Sequence, residues 1–182
     1  MDISFSFIAI AVVAAVLLFL LLKTYNGLVR MRNAVQSGWA DIDVQLTRRH
    51  DLVPQLVAAV QGYASHERAT LILVAELRAR AMAAASLRDK AQFEGELAQQ
   101  VQRILALQES YPDLKASDNF LALQRDLVGI EDHLQYARRF YNGAVRDLNN
   151  KVEAFPSVLV ARVANFKAAE FFRQGDGSEA PQ

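Results

Sequence analysis

The chain has 182 residues with 20 Lys+Arg against 20 Asp+Glu, no cysteine, and only eight glycines and four prolines. The balanced charge argues against a nucleic-acid footprint, which needs a basic face. The missing thiols exclude disulfides, thiolate zinc sites and cysteine nucleophiles, and the scarcity of glycine and proline favours helices over a sandwich or barrel.

The first element runs from Ile3 to Leu22 (ISFSFIAIAVVAAVLLFLLL) and carries no ionisable side chain. As a helix rising 1.5 Å per residue it is about 30 Å long, the thickness of a bilayer's hydrocarbon core. Lys23 closes it, and Tyr25 sits where an interfacial aromatic belongs. A basic leader and a small-x-small cleavage site are both missing, so the run reads as an uncleaved anchor over residues 1–23 and not as a signal peptide. Lys23, Arg30 and Arg32 follow the span and no basic residue precedes it. The excess of positive charge predicts an outside N-terminus and a cytoplasmic remainder.

After the anchor, Val35, Trp39, Ile42, Leu46, Val53, Leu56, Val60 and Tyr63 follow alternating steps of four and three. This is a coiled-coil-like stripe in which Arg49 takes a seam position without being apolar. Pro54 loosens that helix without ending the pattern. Gly62 to Glu67 reads as a turn. A second helix is expected from about Glu67 to Glu109, weakest near Ser86, where the Ser-x-x-Asp spacing to Asp89 can cap a restart. Tyr111-Pro112-Asp113 breaks the chain. A third helix starts near Asp118 with the cleanest periodicity, from Leu123 through Leu127, Ile130, Leu134, Tyr141, Leu148 and Val152 to Phe155, and Pro156 stops it. Ser157 to Phe172 reads as a short helix and residues 173–182 as a disordered tail. Short turns between long helices predict an all-α, up-down-up bundle of antiparallel helices over 24–172, continuous with the anchor.

Several strings on these helices belong together: Tyr25–Val29 (YNGLV), Ile42–Leu46 (IDVQL), Arg48–Val57 (RRHDLVPQLV), Gly62–Glu67 (GYASHE), Tyr111–Ala116 (YPDLKA), Asn119–Gln124 (NFLALQ), Ala137–Asn142 (ARRFYN) and Phe155-Pro156. In this order they strongly resemble the LemA family of bacterial membrane proteins, from Tyr25 to about Phe172. Gln55 and Leu148 depart from the residues common there. The resemblance implies an N-terminal membrane span, a membrane-adjacent helical bundle in the bacterial inner membrane, and no enzymatic reaction; some relatives are linked to building specialised bacterial membranes.

The residues themselves offer little chemistry. His66-Glu67 begins like a zinc-peptidase helix, but Thr70 stands where the second histidine belongs. His50-Asp51 has no evident nucleophile, and His133 lies among Glu131, Asp132 and Gln135 on an exposed face. No catalytic, metal or cofactor residue is assigned. An arginine buried at a seam needs a partner. A register estimate places Arg49 near Ala81 and level with residues 139–144, so Arg48, Arg49, His50 and Asp51 are grouped with Arg138, Tyr141, Asn142 and Asp147 as one structural or interaction layer. The same estimate groups Tyr25 and Asn26 with Tyr111, Pro112, Asp118 and Asn119 near the membrane, and Tyr63 and His66 with Phe155 and Pro156 at the far end. Tyr25-Asn26-Gly27 recurs as Tyr141-Asn142-Gly143, with Asn33 echoed by Asn149; such glycines would allow close helix approach, and the asparagines can cross-link backbones. The expected function is a non-enzymatic single-pass membrane protein that self-associates to scaffold or shape the membrane. Its partners are the lipid bilayer, further copies of itself and other membrane proteins, with no nucleic acid. The alternative is a monomeric adaptor for a signalling or membrane-protein partner.

Overall fold

The computed structural model describes residues 2–173. It is all-helical over these residues: α1 (Asp2–Gln61), α2 (Arg68–Ala83), α3 (Leu87–Ala106), the one-turn α4 (Pro112–Lys115), α5 (Asp118–Glu153) and α6 (Ser157–Val163), with 3-10 turns at Ser65–Glu67 and Leu107–Glu109. The expected tail over 173–182 falls outside the described residues except for Arg173.

Helix α1 is continuous from the apolar run into the amphipathic stripe, and Pro54 does not end it. Every residue from Phe7 to Lys23 is exposed, which is how a lipid-facing segment looks without its lipid. Among the described residues this is the one helix long and apolar enough to cross a membrane.

The break near Ser86 is a full helix end. Ser86 is the N-cap of α3, its hydroxyl accepting from the Asp89 amide at 2.9 Å, the interaction that makes Ser-x-x-Asp a start signal. The segment expected as one second helix is therefore a hairpin, α2 packed on α3. The bundle remains antiparallel, but this extra reversal turns α5 round, and the register estimate fails for that reason.

The chain divides into two compact units. The first comprises 1–38 and 140–170, the second 39–139 and 171–182. In the second, Val53, Leu56, Val60 and Ala64 share a core with Leu71, Val74 and Leu77 of α2, Leu97, Val101 and Ile104 of α3, and Leu114, Phe120 and Leu127. The end of α1 thus meets the start of α5, so the two helices run antiparallel. In the first unit Leu28 packs with Leu148 and Ala161, rimmed by Met31, Val35, Val152, Val160, Phe166 and Ala169. There a Cβ on Gly38 would stand 3.1 Å from the Tyr141 Cα and 3.0 Å from a Phe140 ring carbon, so glycine permits the close approach of α1 and α5. The glycines of the repeated Tyr-Asn-Gly string do not act this way: a Cβ added at Gly27 or Gly143 would meet nothing within 4 Å.

Helix α6 is shorter than the expected Ser157–Phe172 helix. Asn165 takes a positive φ of 55°, which asparagine tolerates better than most residues. The Phe166 amide donates to the Ala161 carbonyl and the Asn165 amide to that of Arg162, closing the helix as a Schellman motif with Phe166 and Ala161 in contact. Residues 165–173 continue without helix.

Candidate functional site

The second unit buries an ionic layer, and it begins with two seam positions. On α1 the buried series Ile42, Leu46, Arg49, Val53, Leu56 and Val60 passes through Arg49, which is 3 % exposed. On α3 the series Ala91, Glu94, Leu97, Val101 and Ile104 passes through Glu94, which is fully buried. The helical period that carries leucines inward here carries one cation and one anion.

Their neighbours complete the layer. The His50 Nε2 lies 2.7 Å from Glu94 Oε1, and Arg49 Nη1 lies 3.3 Å from Glu94 Oε2. Arg49 Nη2 also donates to Glu131 Oε2 on α5. The other Glu131 oxygen faces Arg138 Nη1 at 3.6 Å and accepts from Gln135 at 3.4 Å. All four carboxylate oxygens are engaged, and two guanidiniums balance two carboxylates. Burial pulls the Arg138 guanidinium below its ordinary value and the charge of Arg49 adds to that, whereas Glu131 and Glu94 oppose it. Arg138 also stacks over the buried Phe172 ring, 5.6 Å from its centroid, and that ring lies 5.7 Å from Trp39.

Pro54 explains a further member. In an α-helix the amide of residue 54 would donate to the carbonyl of residue 50, and proline has no such hydrogen. The Arg78 Nε from α2 takes its place, donating to the His50 carbonyl at 2.7 Å. Proline orphans an acceptor, and a guanidinium on the next helix satisfies it.

The expected layer is brought together only in part. Arg49, His50 and Arg138 belong to the ionic set. Arg48 and Asp51 are exposed on α1. Tyr141 and Asn142 fall in the first unit, where the Tyr141 hydroxyl donates to the Glu170 carbonyl at 2.9 Å. Asp147, also in the first unit, is exposed beside Arg146. On α5 the partner of Arg49 is Glu131 and not residues 139–144. The membrane-proximal group is divided as well: Tyr25 and Asn26 belong to the first unit, Tyr111, Pro112, Asp118 and Asn119 to the second. Tyr25 packs edge-on against Phe166, 5.9 Å between centroids, and Tyr111 lies against the core around Leu114. Tyr63 and Phe155 likewise belong to different units. Glu94, Glu131 and Arg78 were not foreseen. The signal for Glu94 was the step of three to Leu97, which puts a carboxylate on the seam.

A wholly exposed apolar segment running without a break into a helical bundle defines a membrane-associated helical-bundle protein. The family model of the LemA family matches residues 38–182, and the chain belongs to that family. It is 24 % identical over 187 residues to magnetosome protein MamQ 2 of Paramagnetospirillum magneticum, covering 88 % of this chain and 69 % of the relative. It is 23 % identical to magnetosome protein MamQ of Magnetospirillum gryphiswaldense with the same coverage. Protein LemA of Metamycoplasma hominis is 28 % identical over 158 residues, covering 81 % of this chain and 71 % of the relative. None of these names states a reaction.

Proposed function

We propose that the chain is a non-enzymatic, single-pass membrane protein of the bacterial inner membrane whose helical bundle self-associates to scaffold or shape that membrane. The observation that carries this reading is the set of large apolar side chains left bare on the second unit: Val44, Ile72, Met82, Val128 and Tyr136 are each at least 45 % exposed. Apolar side chains left bare on a bundle are available to pack against a second copy. The continuous α1 supports the same reading, because an anchor confines its bundles to a plane and raises their effective concentration. Both carboxylates of the ionic layer are engaged by cations from other positions in the bundle, which suits a device that holds helix register. The similarity to proteins described as magnetosome proteins agrees with a role in organising a membrane compartment.

The full chain in mild detergent is expected to form a defined homo-oligomer by light scattering and electron microscopy. A strictly monomeric particle at high concentration overturns self-association. Cross-linking in cells dominated by links to one foreign protein would instead establish an adaptor. The bundle is placed in the cytoplasm, so external protease on spheroplasts should leave it intact.

A further inference from the structure

Helix α6 turns its apolar side outward. Its inward face carries Ser157 and Ala161, 3 % and 1 % exposed, with Ala161 packed against Leu28 of α1. Its outward face carries Leu159 and Val163, one turn apart and 56 % and 91 % exposed, and Phe155 just before it is 81 % exposed. A helix meeting only water puts polar residues there. Two exposed basic residues lie on α6 or just after it, Arg162 and Lys167, while one exposed acid, Glu153, precedes Phe155.

The position of α6 along α1 says what covers that face. Leu28 is six residues beyond Leu22, the last apolar residue of the span, a rise of about 9 Å. Phe166, just after α6, packs on Tyr25, only three residues beyond Leu22. The headgroup layer on each side of the hydrocarbon core is about 5–8 Å deep, so α6 lies at its outer edge. Charge agrees with position. The first unit, which bears the span, holds seven basic and four acidic residues, and the second holds 13 and 16. Anionic lipid surfaces attract such juxtamembrane basic groups.

We propose that α6 is a second membrane contact, lying on the anionic bilayer surface beside the span with Phe155, Leu159 and Val163 dipped among the headgroups and Arg162 and Lys167 on lipid phosphates. This rests on the reading of residues 3–22 as a span. Apolar side chains on one face and basic residues at its edge are what an interfacial helix requires. The contact would fix the rotation of α1 about its own axis, which a single span leaves free, and so present a constant surface of the first unit to neighbours in the membrane.

The chain's lack of cysteine allows a direct test. Full-length Val13→Cys, Ile72→Cys, Leu159→Cys and Val163→Cys, each carrying an environment-sensitive fluorophore, are reconstituted into phosphatidylcholine–phosphatidylglycerol vesicles with nitroxide-labelled lipids. The expected result is deep quenching at 13, shallow quenching at 159 and 163, and none at 72. Quenching at 13 without quenching at 159 and 163 overturns the α6 contact and leaves the span standing. Absence of quenching at 13 removes the span reading and the contact with it. A blue shift at 163 without lipid quenching shows burial by protein and also overturns the contact. Arg162→Gln with Lys167→Gln should reduce the docked population by about fivefold per residue in anionic vesicles, with a smaller change in pure phosphatidylcholine; equal docking of variant and parent in both lipids overturns the electrostatic part.

Discussion

The two units of this protein hold their helices by opposite means. The second buries charge: Arg49, His50, Glu94, Glu131 and Arg138 form an ionic layer beside an apolar core drawn from α1, α2, α3 and α5. Among its described residues the first shows no such set. Its apolar core is small, and its specificity comes from side chains that clasp backbone, with Asn149 gripping both the amide and the carbonyl of Ala169 and Tyr141 donating to the Glu170 carbonyl. A buried ion pair adds little net stability over a well-packed apolar pair, yet removing one partner is costly, so it punishes wrong registers strongly. A clasp on backbone fixes a non-helical segment that offers no periodic apolar stripe of its own. The second unit is thus built to keep four helical passes aligned. The first keeps the segment 157–170 folded back against α1.

The most severe test of this contrast is Glu94→Ala, which leaves Arg49 and His50 facing an empty buried site. A loss of about 3–5 kcal/mol is expected for breaking a buried pair from one side, read as a lower midpoint in denaturant titration of the detergent-solubilised chain. Amide exchange followed by mass spectrometry should rise across 39–139 and change little in the peptides of 140–170. Equal protection lost in both units would abolish the distinction.

The counterpart in the first unit is Asn149→Ala. Two hydrogen bonds of 2.8 and 3.0 Å disappear together, for an expected cost of about 2 kcal/mol. Here faster exchange should be confined to residues 165–170 and their packing partners on α1. Asn149→Asp keeps the acceptor for the Ala169 amide but not the donor, and should fall between the two.

A smaller effect returns to the second unit. Arg78→Met removes the donor to the His50 carbonyl and should cost about 1.5 kcal/mol, the usual worth of a charge-assisted hydrogen bond. The proposed cause gives this substitution a specific rescue. Pro54→Ala restores an amide able to donate to the same carbonyl within α1, so Arg78→Met should cost distinctly less in that background. Additive losses in the double-mutant cycle would show that Arg78 acts through something other than the proline.

Much of this arrangement was legible in the chain, and the missing part has a definable cause. The anchor, the seam of α1, the Ser86 cap, the break at Pro112 and the end of α5 before Pro156 each carry a local signal, either a period or a capping residue. So does the presence of Arg49 at a seam. What periodicity cannot reveal is direction: no glycine or proline stands at Ala84 and Ala85, and only Ser86 marks that the chain reverses there. Missing that reversal misplaced α5, and with it the partners of Arg49. The non-helical run from Asn165 to Arg173 was hidden for a related reason. Ala164, Ala168 and Ala169 favour helix, and the deciding factors, the Schellman closure at Asn165 and the Asn149 clasp, depend on the left-handed turn of one residue and on a partner 20 positions away.

The mildest prediction concerns the other clasp. Tyr141 is 5 % exposed, and its phenol is pushed above the ordinary tyrosine value, first by burial and then by the nearby Glu170 carboxylate. The unfolded chain ionises this group near pH 10, with a value of about 10, so the folded state holds the proton more tightly than the unfolded state does. The stability this confers is fully present below that pH and is lost as pH rises through the folded value. At neutral pH Tyr141→Phe should cost about 1 kcal/mol through the lost bond to the Glu170 carbonyl. Between pH 9 and 11 the parent should lose stability more steeply than the variant, so the gap between them narrows with rising pH. A gap that stays constant across that range would mean the phenol titrates alike in both states, and a gap of zero at neutral pH would mean the first unit's clasp rests on Asn149 and not on Tyr141.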